Sequence, residues 1–271
     1  MATQIPDPGY TPDSFTAAFA AKVRAAHPEL KVEVNGPLHL TVEHPDGGQH
    51  ALSLEHPWTD VRQGADAEEA LERFLTTMVA AGPPKVPEGP ALHAALRPVV
   101  KHIDYVRAVF EQVGQGEVPV FGFVGELYIM LVADLGQSMA VVSSSQLQKA
   151  AIAPKDALLV ALQNLANDLN DVAIHGDRLR MFQAGGNYEA SLLLLGSIWE
   201  QLAEKMQGDP IAVPLARDLL VFTDGGDPEA VAELRAFVER TREEGLSYAI
   251  SEAVLAWNGG GWRLLDAPPE A

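Results

Sequence analysis

The chain has 271 residues, 47% of them hydrophobic, and a formal net charge of −18 that comes from 37 acidic and 19 basic side chains. This charge disfavours binding to nucleic acids and to anionic membrane surfaces, because both are held through lysine and arginine. The absence of cysteine excludes disulfides, thiolate catalysis and cysteine-ligated zinc, and it fits a reducing cytoplasm, where we expect the protein to reside. We expect neither a signal peptide nor a membrane span, since no apolar run reaches about 20 clean residues.

Apolar spacing and turn residues divide the chain into two parts. Residues 1–82 predict a helix–hairpin–helix unit, with helices over Thr11–Ala26 and Asp66–Ala81 on either side of a β-hairpin. The Pro- and Gly-rich stretch 83–90 is typical of a linker. We therefore expect a small N-terminal unit, a linker and a larger C-terminal domain over 91–271.

The hairpin of the N-terminal unit can be aligned from its pattern of apolar residues. A three-residue loop over 46–48 would pair Val42 with Leu52 and place the leucines of both strands on one face. The same alignment sets His44 opposite His50. Two imidazoles facing each other across a hairpin could begin a zinc or copper site, whereas histidines at a hairpin tip more often belong simply to the surface.

The C-terminal domain predicts short strands mixed irregularly with helices. In chain order these are strands over Leu96–Ile103, Val118–Val124, Leu127–Val132 and Ala140–Val142, a helix over Pro154–Leu169, a strand over Arg178–Gln183, a helix from Asn187 to Met206, strands over Ile211–Val213 and Leu219–Thr223 on either side of Pro214, a helix over Asp227–Glu244, and a hairpin of Ala249–Trp257 with Trp262–Leu265. This order predicts an α+β fold in which a mixed or antiparallel sheet is covered by helices.

The predicted helix from Asn187 to Met206 should lie at the centre of this domain. Asn187 is placed to cap it, and Leu195 and Trp199 belong to an apolar stripe with helical spacing. The strand Leu219–Phe222 is apolar without alternation, as expected of a central strand covered on both faces. We therefore expect the helix and the strand to pack together.

Five short segments of the C-terminal domain occur in a recognisable order. They are Arg97-Pro98-Val99-Val100; Val118-Pro119-Val120 leading to Ala133-Asp134-Leu135-Gly136; Ala161-Leu162-Gln163-Asn164-Leu165; Tyr188-Glu189-Ala190-Ser191; and Val213-Pro214 with Arg217-Asp218, Leu220 and Asp224. Together they resemble the YtpQ family of bacterial proteins, a family of unknown function, over roughly Leu96 to Leu265. The resemblance implies a cytoplasmic bacterial protein of mixed α/β structure, and it supplies no catalytic residue or cofactor.

Acidic residues beside apolar strands are the candidate catalytic residues. Asp134, Asp218 and Asp224 stand at strand ends, and Glu189 lies in the first turn of a predicted helix. Carboxylates in such positions can act as acid–base pairs or hold a metal, and they can equally cap turns or pair with nearby arginines. If the protein is an enzyme, at least three of these four side chains should converge in one cleft.

The sequence contains no recognisable nucleophile–base pair, phosphate-binding loop or dinucleotide-binding motif. The leading interpretation is a non-enzymatic cytoplasmic protein that binds a basic protein partner through an acidic surface. We expect it to need no cofactor and to bind neither nucleic acid nor membrane. One alternative is a hydrolase or metal-dependent enzyme that uses the strand-end carboxylates. A second is an immunity-type or effector-binding protein that uses the same acidic surface.

Overall fold

The structure, a computed structural model, describes residues 9–45, 49–62, 64–79, 85–136, 138–168, 172–246 and 248–265. Contacts between residues divide the chain into two compact units, which meet in sequence between Lys85 and Val86. Each unit has its own apolar core.

The first unit is a three-stranded antiparallel sheet with helices. Its elements are α1 (Pro12–Ala26), β1 (Lys31–Gly36), β2 (His39–Glu43), β3 (Gln49–Ser53), α2 (Glu55–Arg62) and α3 (Ala67–Phe74), followed by a π-helical turn over Leu75–Val79. The side chains of Thr11 and Asp66 cap α1 and α3 by accepting backbone N–H groups. Both predicted helices of this unit are therefore present.

The structure of the first unit contains two elements, β1 and α2, that the predicted helix–hairpin–helix did not include. Strand β1 pairs with β2, and α2 follows β3 after a single residue. Most residues of β1 are exposed, so its sequence carries little of the alternation that identifies a strand. Its identity depends on pairing with β2, which the local pattern does not reveal.

The predicted hairpin register is wrong by two residues, although the predicted face is right. Strands β2 and β3 pair Leu40 with Leu52 and Val42 with His50, so His44 does not stand opposite His50. A shift of two residues leaves every side chain on the same face, and Leu40, Val42 and Leu52 are indeed buried. The loop residues 46–48 lie outside the described residues.

The second unit holds two antiparallel sheets and their helices. The first sheet has the order β4-β6-β5, with β7 on the end of β6; the second has the order β13-β12-β10-β11-β9-β8. The strands are β4 (Leu96–His102), β5 (Val120–Val124), β6 (Leu127–Asp134), β7 (Met139–Val141), β8 (Ala173–His175), β9 (Arg180–Gln183), β10 (Pro210–Ala216), β11 (Leu219–Asp224), β12 (Leu255–Trp257) and β13 (Trp262–Leu264). This confirms the predicted α+β fold.

Six α-helices of the second unit lie within the described residues. They are α4 (Pro90–Ala95), α5 (Ile103–Val113), α6 (Ser144–Lys149), α7 (Pro154–Asn167), α8 (Gly196–Ala203) and α9 (Pro228–Glu244), and a 3₁₀-helical turn spans Ala190–Leu194. In the described part of the chain, no helix is both long enough and apolar enough to cross a membrane.

Strand β11 is a central strand covered on both faces, as predicted. On one face, the ring of Phe222 lies 5.5 Å from that of Trp199 and 4.8 Å from that of Phe182. On the other face, Val221 belongs to the apolar cluster that includes Leu234 of α9. The rings of Trp199, Trp257 and Trp262 also contact one another in series, which assigns these tryptophans to the core.

The prediction of one helix from Asn187 to Met206 is wrong. The segment forms the 3₁₀-helical turn and then α8, with a break at Leu195, and Asn187 caps neither. The carbonyl groups of Leu192 and Leu193 accept hydrogen bonds from the indole N–H groups of Trp199 and Trp262, each at 2.9 Å. These carbonyls bond to tryptophan side chains of the core, which the local periodicity could not indicate.

Strand β10 also runs further than predicted, through Pro214 to Ala216. Proline lacks the N–H that a central strand needs. Strand β12, however, pairs with β10 only at Ile211 and Ala212. The strand therefore loses no hydrogen bond to β12 where the proline stands.

Candidate functional site

Asp134 lies at the end of β6 and both of its carboxylate oxygens accept hydrogen bonds. The Tyr188 hydroxyl donates to Oδ2 at 2.7 Å, and the Gly136 N–H donates to Oδ1 at 2.8 Å. Burial and the neighbouring Asp134 carboxylate raise the pKa of Tyr188 well above its ordinary value. Tyr188 therefore stays protonated and acts as a fixed donor to Asp134.

Glu189 is buried, with 2% of its surface exposed, and its carboxylate holds a loop together. The backbone N–H groups of Ala184 and Gly186 each donate to Oε1 at 2.7 Å, and that of Tyr188 donates to Oε2 at 3.1 Å. A buried carboxylate needs such donors to offset its loss of hydration. Glu189 therefore closes the turn that follows β9. It does not lie in the first turn of a helix, contrary to the prediction from the sequence.

Arg97 and Asn164 extend this polar region on β4 and α7. Arg97 donates from Nε to Asp168 Oδ2 at 2.6 Å, and Asn164 Nδ2 donates to the Leu96 carbonyl at 3.0 Å. The charges of Arg97 and Asp168 also act on Tyr188. Residues from four of the segments on which the family resemblance depends therefore lie in one region of the second unit.

Asp224, at the end of β11, joins two loops. Its carboxylate accepts the N–H groups of Gln207 at 2.7 Å, Gly208 at 2.9 Å and Gly226 at 2.8 Å. Burial opposes ionisation, but the three hydrogen bonds outweigh it and hold the pKa of Asp224 below its usual value. The loops touch so closely that a Cβ on Gly208 would lie 2.5 Å from the Gly226 nitrogen.

Asp218 lies apart from Asp224. It is exposed in the turn before β11, whereas Asp224 is the last residue of that strand, which places them about 20 Å apart at the rise of an extended chain. Asp134 and Glu189, in contrast, both accept hydrogen bonds from Tyr188. Asp134 binds the Tyr188 hydroxyl, and Glu189 binds the Tyr188 backbone N–H. The structure thus brings one pair of the four candidate carboxylates together and separates the other pair.

The candidate metal ligands His44 and His50 come from the first unit. His44 is partly buried just beyond β2, and His50 stands in β3 opposite Val42. Among the residues that the structure describes, no group of three or more histidine, aspartate or glutamate side chains is arranged to hold a metal ion.

Two adjoining clefts of the second unit were not indicated by any sequence motif. One has a volume of about 550 Å³ and reaches His102, Glu126 and Ser251; the other measures about 440 Å³. Both are lined by Arg242 and Glu252, which form an ion pair that lowers the pKa of Glu252. None of the four candidate carboxylates lines either cleft.

Comparison with known proteins gives a partial likeness to uncharacterised bacterial proteins. The chain is 29% identical over 102 residues to the UPF0354 protein Lm4b_01619 of Listeria monocytogenes serotype 4b, covering 36% of this chain and 38% of that protein. It is 28% identical, with the same coverage, to the UPF0354 protein lmo1608 of Listeria monocytogenes serovar 1/2a. The match therefore spans well under half the length of these relatives.

No family model matches the chain, and no solved structure matches it. The relatives agree with the expected likeness to bacterial proteins of unknown function, while the YtpQ family itself stays a prediction.

Proposed function

We propose that this protein acts without catalysis in the cytoplasm, by binding a basic protein partner through an acidic edge of its second unit. The acidic edge consists of Glu200, Glu204, Asp209 and Asp224. The observation that supports it is the set of three N–H hydrogen bonds to Asp224, which fixes the loop after α8 to the loop before α9. The Gly225 N–H also donates to the Asp209 carbonyl at 3.0 Å, so this loop is held at a second point.

The positions of the other carboxylates favour an external partner. Glu200 and Glu204 are exposed one turn apart at the C-terminal end of α8, where the helix dipole disfavours negative charge and like charges repel. Within the described ranges, neither they nor Asp209 forms an ion pair. Their repulsion therefore destabilises the isolated fold slightly, and a cationic surface would relieve it.

The candidate catalytic carboxylates support a binding role over catalysis. Asp134, Glu189 and Asp224 each accept two or three hydrogen bonds from the protein itself. A general base must lie within hydrogen-bond reach of a substrate proton, and none of these three side chains lines either cleft. The hydrogen bonds of these carboxylates hold loops of the second unit in place. Separately, the net charge of −18 favours a basic protein partner over nucleic acid or an anionic membrane.

The test compares the wild-type chain with a three-site variant, Glu200→Gln, Glu204→Gln and Asp209→Asn. A matched control removes the same charge from exposed positions elsewhere in the unit, through Glu111→Gln, Glu233→Gln and Glu243→Gln. Each protein is immobilised and exposed to extract from the cells that produce it, and retained proteins are identified and quantified.

We expect one basic protein to be retained in stoichiometric amount by the wild type and the control, and lost from the three-site variant. It should elute as salt rises from about 0.15 M to about 1 M, because the screening length falls from about 8 Å to about 3 Å. Equal retention on the three-site variant, salt-insensitive binding, or multiple-turnover chemistry on a small molecule would each overturn the proposal.

A further inference from the structure

Two cationic side chains of the second unit, Lys101 and Arg217, come together from distant parts of the chain. Lys101 is near the end of β4, and Arg217 lies in the turn between β10 and β11. The Val100 N–H donates to Ser191 Oγ at 3.4 Å, and the Ala190 N–H donates to the Arg217 carbonyl at 3.2 Å. Lys101 and Arg217 therefore flank one short stretch of backbone.

Neither cation has an acidic partner in the part of the chain that the structure describes. Three other arginines of this unit, Arg97, Arg178 and Arg242, bind carboxylates, whereas Lys101 and Arg217 are partly buried without one. The Arg217 Nε atom is also buried without a hydrogen-bond acceptor. An unsatisfied donor of this kind is costly, and it needs an explanation.

Two tyrosine rings cover the cations. Lys101 Nζ lies 4.6 Å from the centre of the Tyr105 ring, and the Arg217 guanidinium carbon lies 4.1 Å from the centre of the Tyr248 ring. Tyr248 adopts a φ of 54°, a left-handed conformation that is rare for a bulky residue. Backbone strain of this kind persists where the surrounding structure imposes it, and it is concentrated at binding sites.

The burial of this pair of cations lowers the pKa of Lys101. Burial and the positive charge of Arg217 lower the pKa of Lys101 from 10.5 to about 8. The fold therefore holds two like charges near each other at the expense of their hydration. An anion placed between them would offset both the repulsion and the lost hydration.

We propose that Lys101 and Arg217 form a binding site for a doubly charged oxyanion, the phosphate group of a small molecule. The two positive charges match a dianion. The planar guanidinium of Arg217 suits two oxygens of one phosphate group, and the Lys101 ammonium adds a point charge. This site is independent of the acidic edge, because it involves different residues and the opposite sign of charge.

The test uses inorganic phosphate as the probe, with acetate at equal ionic strength as a singly charged comparison. Binding is measured by calorimetry, and the Cε chemical shift of Lys101 is followed by NMR. The variants are Arg217→Gln and Lys101→Met. Arg240→Gln is the matched control, since Arg240 also lies over an aromatic ring, 5.2 Å from the centre of Phe237.

We expect phosphate to bind the wild type and Arg240→Gln with equal affinity, and to shift the Lys101 resonance. Affinity should fall about tenfold or more in Arg217→Gln and in Lys101→Met, which corresponds to loss of one charge-assisted interaction. Acetate should bind much more weakly than phosphate. Unchanged phosphate affinity in both variants, no shift at Lys101, or equal binding of acetate would overturn the proposal. A circular dichroism spectrum of each variant separates loss of binding from loss of the fold.

Discussion

The Tyr188 hydroxyl is hydrogen-bonded to the Asp134 carboxylate at 2.7 Å, and this bond joins the two sheets of the second unit. Asp134 ends β6 of the first sheet, while Tyr188 lies in the segment that follows β9 of the second. The bond therefore supports the packing of one sheet against the other at a point remote in sequence.

Tyr188→Phe removes this bond and should reduce the free energy of unfolding by about 1–3 kcal/mol, because Asp134 Oδ2 loses its donor. Urea denaturation measures the loss. Tyr105→Phe is the control: this tyrosine is 43% exposed, and its substitution should change stability by no more than about 0.5 kcal/mol. Equal effects of the two substitutions would show that the bond contributes little.

Asp224→Asn should destabilise the protein in a pH-dependent way. The pKa of Asp224 in the fold lies below its usual value of 3.8, so the ionised form contributes stability above that value. This contribution is lost as the pH falls through the lower folded pKa, where the wild-type carboxylate is protonated too. The difference in unfolding free energy between wild type and variant should thus be constant near neutral pH and shrink on acidification. A difference that grows towards low pH would contradict this assignment.

Leu195→Ala and Asn187→Ala should differ sharply in cost. Leu195 is buried in the main core of the second unit, so its truncation should cost about 2–5 kcal/mol of unfolding free energy. Asn187 caps no helix, so its substitution should change stability by no more than about 0.5 kcal/mol. Chemical denaturation of both variants gives the comparison, and a loss of about 1 kcal/mol at Asn187 would restore its role as a cap.

Lys101→Met should stabilise the protein at neutral pH. Because the pKa of Lys101 is about 8 in the fold and 10.5 in the unfolded chain, the unfolded chain binds more protons between these values. Wild-type stability therefore gains from this group as the pH rises from about 8 to about 10.5, by at most about 3 kcal/mol. The variant lacks this gain, so its stability advantage over the wild type should narrow between about pH 8 and pH 10.5 in thermal unfolding. An advantage that persists unchanged would mean that packing, not charge, explains it.

The sequence predicted elements well where local signals and tertiary contacts agree. Helix α1 begins at Pro12 and helix α9 at Pro228, each one residue after the predicted start. The face of the first hairpin was also predictable, because an apolar face tolerates only shifts of two residues. The register itself was not, since both alignments bury the same leucines.

Other features depend on contacts between residues far apart in sequence. The break at Leu195 accompanies hydrogen bonds from Trp199 and Trp262 to carbonyls of the preceding turn. Among the candidate carboxylates, Glu189 turned out to bind backbone N–H groups, because a buried acid takes the donors that the loop supplies. The pairing of Lys101 with Arg217 had no local signal at all, since it joins residues more than a hundred positions apart.

The close approach of Gly208 to Gly226 limits which sequences this fold accepts. A methyl group at either position would meet backbone atoms of the opposite loop, which cannot move aside as a flexible side chain could. In a library that samples every amino acid at every position, both sites should therefore admit glycine alone among folded clones. Neighbouring Asp209, exposed beside them, should vary freely when the selection is for folding. A selection for the protein's activity in the cell would then separate what the chain needs in order to fold from what it needs in order to work.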